Sequence, residues 1–90
     1  MYTVMFTAPV VMNKEFAILN RGEQRRMLER LETAPETQKP LTGPLVGYRR
    51  YRCDDKRVVF KIDDASSTVV VIAVGYRRNS EVYGIAASRV

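Results

Sequence analysis

Residues 48–83 decide the fold, and they read YRRYRCDDKRVVFKIDDASSTVVVIAVGYRRNSEVY. The stretch predicts three consecutive β-strands, because runs of β-branched and aromatic residues alternate with short polar turns. Asp doublets stand at 54–55 and 63–64, and Asp beside small polar residues is the usual hairpin signal. The predicted strands cover residues 47–53, 56–62 and 67–74, and the last of them ends at Gly75.

Side chains alternate along these strands, so each strand has two different faces. In the second strand Val58, Phe60 and Ile62 form an apolar stripe that predicts contact with a core. The cations of the first two strands then project from the opposite surface: Arg50, Arg52, Arg57 and Lys61. The third strand is apolar on both faces over residues 69–74, which is typical of a central strand covered on both sides. The pattern predicts an antiparallel meander with one packed face and one face suited to an anion.

Positive charge is concentrated in the same half of the chain. The 90 residues carry a formal net charge of +5. Residues 1–42 hold six Lys or Arg against five acids, whereas residues 43–90 hold nine against five. Four of the five acids in this second half belong to the two turn doublets, away from the strand interiors. A basic concentration on one face indicates a phosphate-bearing partner or an acidic protein, with a merely solvated basic surface as the alternative.

The chain contains no His, and Cys53 is its only cysteine. These counts exclude a His/Cys zinc site, His-based catalysis and a disulfide within the chain. Cys53 is predicted to be a small buried residue at a strand end. The first residues do not resemble a signal peptide, and no apolar run approaches the length of a membrane span. We therefore expect a single domain of residues 1–90, located in the cytoplasm, with no metal or cofactor.

The N-terminal part predicts one strand and two helices. Residues 2–6 suit a strand, and Pro9 marks the start of a first helix. Met12, Phe16 and Leu19 have the spacing of one buried helical face. Residues 33–44, with three prolines and Gly43, then predict a loop that carries the chain from the second helix to the sheet.

The second helix is predicted to begin at a capping box formed by Asn20 and Glu23 and to run to about Glu32. Leu28 and Leu31 are among its predicted core positions. Its arginines face outward, as a solvated surface or alternatively as an RNA or partner contact: Arg21, Arg25, Arg26 and Arg30. At the other end of the chain, Asn79 or Ser80 is predicted to cap a short last helix.

The order β-α-α-β-β-β-α and the motifs of the C-terminal half resemble the RelE branch of the RelE/ParE superfamily of bacterial toxins. The motifs are L-x-G at 45–47, YRRYR at 48–52, RVVFKID at 57–63, VVVIAVGYRR at 69–78 and, most specifically, RRNSEVY at 77–83. The resemblance implies a small RelE-like α+β domain. In this fold an antiparallel meander carries two helices packed on one face and a short C-terminal helix.

The resemblance also implies the toxin of a type II toxin–antitoxin system, a metal-independent endoribonuclease that cleaves mRNA in the ribosomal A site and so inhibits translation. The ribose 2′-hydroxyl attacks the adjacent phosphate, which requires a base, stabilisation of the phosphorane charge and a proton for the 5′ oxygen. The residues that the resemblance assigns to catalysis are Arg50, Arg57, Arg77 and Tyr83. The cations that it assigns to RNA or phosphate binding are Arg49, Arg52, Lys61 and Arg78.

Tyr83 is the base that the resemblance implies. An ordinary tyrosine has a pKa of about 10, and nearby cations favour its phenolate. The alternative role for Tyr83 is a ring that stacks on a base or packs in the helix. Glu81 is the other conceivable base, although a carboxylate that favours the helix N-terminus explains it equally simply.

The first strand departs from the family pattern at one point. The best-known relatives carry two lysines at alternate positions of this strand, and here the matching residues are Tyr48 and Arg50. Arg50 keeps the charge, whereas Tyr48 removes a cation that Arg49 or Arg52 could replace. This difference bears on rate and codon preference more than on the class of reaction.

Two other functions remain compatible with this fold. ParE-type members act on DNA gyrase without cleaving RNA, and a nucleic-acid-binding domain without toxicity is the third possibility. The placement of Arg77 and Tyr83 favours the RelE branch over both. The implied partners are the ribosome, mRNA and a cognate antitoxin with an acidic or amphipathic helical segment, and no membrane.

Overall fold

A five-stranded mixed sheet organises the molecule, and the computed structural model describes all residues from 1 to 90. The strands are β1 (Thr3–Phe6), β2 (Lys39–Pro40), β3 (Arg49–Cys53), β4 (Lys56–Asp63) and β5 (Thr68–Tyr76). Their order across the sheet is β1-β5-β4-β3-β2. The two regular helices are α1 (Arg21–Thr33) and α2 (Glu81–Ser88). The predicted α+β architecture is confirmed, and every helix is too short or too polar to cross a lipid bilayer.

The predicted meander is confirmed, with strand ends that differ by one or two residues. Strands β3, β4 and β5 pair antiparallel in sequence order. Asp54 and Ser67 adopt left-handed backbone angles in the two turns, with φ of 57° and 53°. Strand β1 joins the other side of β5 in parallel. Strand β2 pairs with β3 inside the segment that the sequence predicts as a loop.

The sheet separates two hydrophobic clusters. On the α1 face, Met27 and Leu31 from the helix pack with the predicted stripe that includes Val58 and Phe60. On the α2 face, Val82 and Ala86 pack with sheet and loop residues: Leu45, Val59, Ile72 and Ala73. Helix α2 covers part of the second face beside the cations, and the prediction that the third strand is covered on both sides is confirmed.

A β-bulge explains why β5 serves both clusters. Val59 pairs with Ala73 and Phe60 pairs with Val71, so Ile72 is the extra residue in β5. Ile72 and Ala73 consequently both belong to the cluster under α2. The side chains on either side of the bulge belong to the cluster under α1. A single inserted residue thus gives the central strand its two covered faces.

The first helical segment is irregular, and one predicted core position is wrong. A π-helical turn, Val11–Glu15, leads directly into a 3₁₀ turn, Phe16–Ile18. Val11 and Leu19 are buried, whereas Met12 is 52% exposed. The α-helical spacing selects Met12, but the wider winding of a π-helix moves the buried face to its neighbour.

Helix α1 begins at the predicted capping box. The Glu23 amide donates to Asn20 Oδ1 (2.8 Å), and the Asn20 amide donates to Glu23 Oε1 (2.9 Å). Glu23 also binds Lys56 Nζ at 3.1 Å, which ties the helix to β4. Those hydrogen bonds hold the pKa of Glu23 below its ordinary value, the bond from the Asn20 amide contributing most and Lys56 next. Cys53 is buried beside this pair, as predicted.

This arrangement predicts a loss of stability in acid. A carboxyl group whose pKa is lowered by folding stabilises the protein above its unfolded pKa of about 4.3, and this contribution disappears as pH falls through the folded pKa. We expect Glu23→Gln to lower the urea midpoint strongly at pH 7 and much less at about pH 3. The exposed residue Glu29, on the same helix and without an ion pair, supplies the matched control Glu29→Gln. Equal losses for Glu23→Gln at both pH values would contradict this explanation.

A second ion pair fixes α2 against the edge of β5. Arg89 binds Glu15 through both guanidinium nitrogens and donates to the Ile72 carbonyl (2.7 Å). Glu15 Oε1 accepts a hydrogen bond from the Val74 amide at 3.0 Å. Burial alone would raise the pKa of Glu15, but the bonds from Arg89 and Val74 outweigh it and lower that pKa. The ion pair thus provides hydrogen-bond partners for the Ile72 carbonyl and the Val74 amide. Both groups lie near the bulge, beyond the part of β5 that pairs with β1.

The start of α2 differs from the prediction. Ser80 precedes the helix, but neither it nor Asn79 caps it through its side chain. Both residues instead adopt left-handed backbone angles, with φ of 54° and 55°. Each such angle costs a non-glycine residue about 1–2 kcal/mol, although Asn tolerates it better than Ser. Their role is therefore to reverse the chain sharply between β5 and α2.

Candidate functional site

Strands β3 and β4 bring the predicted cations together on the α2 face of the sheet. Arg52 pairs directly with Arg57 across the two strands. Arg50 pairs with Val59, which lies in the cluster under α2, so its side chain shares this face. Residues opposite one another in an antiparallel pair point to the same side, so the strand register itself creates a cationic surface.

Arg57 lies at the centre of this surface and, unlike its neighbours, is buried. Only 4% of the residue is exposed. Its Nη1 donates to the carbonyls of Asp54 (2.9 Å) and Lys56 (2.8 Å), which fixes the guanidinium against the β3–β4 turn. Its Nε is buried without any acceptor. An unpaired buried donor costs about 1–3 kcal/mol, and Nε has almost no surface that an incoming oxygen could reach.

The electrostatics of Arg57 also favour an anion. Burial lowers the pKa of Arg57, and the charges of Arg50, Arg52 and Arg77 lower it further. Tyr83 acts in the opposite direction and raises that pKa. The same interactions show that the three arginines and Tyr83 all lie within electrostatic reach of one guanidinium. A bound phosphate would reduce the repulsion among these cations.

A close helix–sheet contact sets the position of Tyr83. Gly75 pairs with Arg57, and a Cβ atom on Gly75 would come within 3.3 Å of Val82 Cβ. The missing side chain therefore lets α2 approach the sheet beside Arg57. Tyr83, the next residue, is half-buried and lines an open groove of about 370 Å³ with Leu41 and Leu45 among its walls. The ring of Tyr83 thus lies between an apolar groove and the cationic surface.

Arg77 connects β5 to the strained turn. Its amide donates to the carbonyl of Asp55 at 2.9 Å, which ties the end of β5 to the β3–β4 turn that also holds Arg57. Its side chain is exposed and forms no ion pair. Asn79 and Ser80 then reverse the chain. The left-handed pair therefore brings Arg77 and Tyr83 to the same end of the sheet although they belong to different elements.

The other predicted phosphate-binding residues divide into two groups. Lys61 lies on the same face, with Nζ 6.0 Å from the ring centre of Tyr48. Arg78 stacks over Tyr76 at 5.0 Å and lies 4.0 Å from Glu81, the alternative base, so part of its charge is already compensated. Neither residue is among the charges that influence Arg57.

Arg49 is not brought to this site. It pairs with Phe60, which belongs to the α1 face, and its Nη1 donates to the carbonyls of Glu36 (3.2 Å) and Gln38 (2.8 Å). Of the two residues predicted to replace the missing lysine, only Arg52 is therefore available. Sequence reasoning also missed Lys39, which pairs with Arg50 through β2 and adds an exposed cation to this face. Strand β2 was not predicted because prolines in this segment indicate a loop.

The site offers no set of ligands for a metal ion. Nowhere in the chain do three or more His, Cys, Asp or Glu side chains lie close enough together to hold one. The groups that the site presents are guanidinium donors and one phenol, which suit an anion and a proton-transfer partner respectively.

Comparison with known proteins identifies the family. The model of the ParE toxin of type II toxin–antitoxin systems, parDE, matches residues 17–81, which include most of the site. The chain belongs to the RelE/ParE toxin superfamily. A search of curated protein sequences finds no significant match.

Solved structures similar to this RelE/ParE toxin include RelE proteins. A mutant of the E. coli toxin RelE in its free state is 26% identical, with a TM-score of 0.73, over 99% of this chain and 97% of that chain. The RelBE2 toxin–antitoxin complex of Mycobacterium tuberculosis is 28% identical, with a TM-score of 0.67, over 87% and 93%. The same E. coli mutant bound to an antitoxin RelB peptide is 27% identical, with a TM-score of 0.63, over 99% and 97%. The family model thus confirms the predicted superfamily, and the solved structures are consistent with its RelE branch.

Proposed function

We propose that this toxin is a ribosome-dependent endoribonuclease that cleaves mRNA and thereby inhibits translation. The observation that carries the proposal is the cluster of arginines on one face of the sheet, where Arg50 and Arg52 lie beside Arg57 and Arg77 is within electrostatic reach of it. Guanidinium groups stay charged at neutral pH and bind phosphate oxygens in a bidentate manner. A phosphodiester is the anion that this surface fits best.

The reaction assigned to the site is an attack of a ribose 2′-oxygen on the adjacent phosphorus. The O2′–P bond forms, the P–O5′ bond breaks, and the products are a cyclic 2′,3′-phosphate and a free 5′-hydroxyl. The more accessible residues Arg50, Arg52 and Arg77 would bind the phosphate oxygens, and the charge of Arg57 would add to their stabilisation of the phosphorane. Such preorganised donors act most strongly where water is displaced, and Arg57 is already buried.

Tyr83 is assigned the role of the base that takes the 2′-hydroxyl proton. It is the one phenol that acts on the charge of Arg57, and no hydrogen bond within the protein occupies its hydroxyl. The proton for the departing 5′ oxygen is assigned to solvent or to the same tyrosine after it has been protonated.

Dependence on the ribosome follows from the openness of the site. Tyr83 and the cations lie on a surface and beside an open groove, not in a closed pocket that would fix a flexible RNA strand. Alignment of the 2′-oxygen with the phosphate must then come from elsewhere, and correct orientation is one of the largest contributions to catalysis. An mRNA held by the ribosome supplies that alignment.

An antitoxin is the second partner that we propose. The RelBE2 structure from Mycobacterium tuberculosis and the RelE–RelB peptide structure from E. coli are both toxin–antitoxin complexes. For this chain, the cationic α2 face favours an acidic or amphipathic helical antitoxin segment, since opposite charge accelerates and orients association. Binding there would cover Arg57 and Tyr83 together.

Inhibition of DNA gyrase is the second candidate function. It is favoured by one observation, that the matching family model is that of ParE toxins. Gyrase inhibition by binding would require no base and no phosphate site, so it leaves the arginine cluster and Tyr83 without a role.

Programmed ribosomes and gyrase distinguish these functions. We expect the purified toxin to cleave mRNA on programmed ribosomes, with cleavage detected by primer extension, and to cleave the same free RNA at least about 10²-fold more slowly, because orientation is lost. DNA supercoiling by gyrase should be unaffected at the same toxin concentration. Equal rates on free and ribosome-bound mRNA would refute ribosome dependence. Loss of supercoiling without RNA cleavage would establish the gyrase function in its place.

A further inference from the structure

An open groove lies between α1 and β3, on the sheet face opposite the candidate site. Its volume is about 500 Å³. Ala34 and Tyr51 are its only apolar walls, and its other lining residues are polar: Arg26, Glu29, Arg30, Thr33 and Gln38. Neither the fold nor the proposed reaction accounts for two arginines in such a groove.

Arg26 and Arg30 lie one turn apart on α1, so their side chains emerge on the same side of the helix. Both are exposed, and neither has a carboxylate within 4.0 Å. In contrast, Lys56 and Arg89 are held in ion pairs with Glu23 and Glu15. The charges of Arg26 and Arg30 are therefore available to a partner.

Tyr51 links these arginines to the sheet. Its ring packs against the core under α1, and its hydroxyl has no hydrogen-bond partner within the protein. Burial raises the pKa of Tyr51, while Arg26 and Arg30 act to lower it, so both guanidinium groups lie within electrostatic reach of its hydroxyl. The groove thus combines two cations with a hydroxyl at the edge of an aromatic ring.

The chemistry of the groove favours RNA over an acidic peptide. Protein partners anchor through large apolar contacts, and the groove offers few of them. Glu29 also lines the groove and would repel an acidic side chain, whereas a ribose 2′-hydroxyl can donate to it. Guanidinium groups one turn apart suit the phosphates of a backbone, and the tyrosine hydroxyl can donate to another backbone oxygen.

We propose that the groove formed by Arg26, Arg30 and Tyr51 is a second RNA-binding surface, which holds the sugar–phosphate backbone of ribosomal RNA while the α2 face holds the mRNA. This inference rests on the proposed function. A toxin with cationic surfaces on two opposite faces can bridge two RNA strands, which a single cationic face cannot do. Docking through the α1 face would orient the site without occupying it.

Binding to 70S ribosomes at several salt concentrations tests the inference. Tyr83→Phe is used as the parental background so that mRNA is not cleaved during the measurement. Replacing Arg26 and Arg30 by Gln should weaken binding about tenfold near 0.1 M salt and reduce the slope of log K against log salt by about 1.5, since two phosphate contacts are lost. The matched control replaces Arg21 and Arg25 by Gln, removing the same charge from the same helix outside the groove.

Each outcome has a definite meaning once circular dichroism shows that both double variants fold. Weaker binding and a smaller slope for the groove variant alone support the inference. Equal binding of parent and groove variant, or equal losses in both double variants, overturns it. If an RNA hairpin and a polyglutamate peptide bind the parent equally and the groove variant loses both equally, the groove recognises charge alone and the inference falls. A parental protein that does not bind ribosomes overturns the proposed function as well as this inference.

Discussion

Replacing Tyr83 by Phe is expected to reduce ribosome-dependent cleavage by about 10²–10⁴-fold, the range for loss of a general base. The substitution keeps the half-buried ring, its packing under α2 and any stacking on a nucleobase, and removes only the hydroxyl. The loss should therefore appear in the rate of the chemical step, measured in a single turnover with excess toxin. Affinity for the ribosome should stay close to that of the parent.

Tyr83→Ala provides the comparison that separates catalysis from packing. If Tyr83 acts as the base, Phe and Ala should both abolish cleavage, and Ala should also lower the melting temperature because the ring packs in the cluster under α2. If the ring only stacks or packs, Phe should be nearly silent and Ala damaging. A Tyr83→Phe protein that cleaves at the parental rate would remove Tyr83 from the catalytic residues.

Replacing Arg57 by Ala should reduce cleavage by about 10²–10³-fold, the scale for losing one preorganised donor to the transition state. Because Arg57 is buried and binds two turn carbonyls, part of any loss could come from disorder of the β3–β4 turn. Arg57→Lys addresses this point, since it keeps a positive charge but cannot bind two carbonyls and a phosphate with one planar group. We expect the Lys variant to melt close to the parent and to remain at least about tenfold slower in the chemical step.

The matched control for Arg57 is Arg21→Ala. Arg21 is exposed on α1, on the opposite face of the sheet, so this variant loses the same charge without touching the site. It should cleave at nearly the parental rate. A comparable loss in both variants would show that net charge, not the placement of Arg57, controls the reaction.

Strand alternation was enough to predict which face carries the cations. The stripe from Val58 to Ile62 faces α1, and Arg50, Arg52 and Arg57 share the other face, because alternation is a local property of extended backbone. The capping box at Asn20 was predictable for the same reason, since its two hydrogen bonds join residues three apart. The family could be recognised because its motifs are contiguous.

Features that depend on distant contacts could not be predicted. Nothing in the sequence of β4 indicates that Arg57 is buried, with its guanidinium held by carbonyls of the β3–β4 turn. The parity of the strand shows that Arg49 points away from the site, but its carbonyl partners come from the loop before β2. Met12 was misplaced because sequence spacing cannot distinguish a π-turn from an α-helix. Lys39 was missed because two residues beside a proline are too few for a strand pattern.

The position of β5 between β4 and β1 has a consequence for folding kinetics. The β3–β4 and β4–β5 hairpins close over turns of a few residues, whereas Thr3 pairs with Thr68, 65 positions further along the chain. Closing a long loop costs more entropy before any contact forms, and non-local parallel pairing is the slow kind. The fastest and slowest pairings of the sheet therefore meet on the two edges of one strand. The strands that carry Arg50 and Arg57 belong to the rapidly formed hairpins, and the residues that follow β5 do not depend on its pairing with β1. The surface proposed for catalysis can therefore assemble before β1 docks.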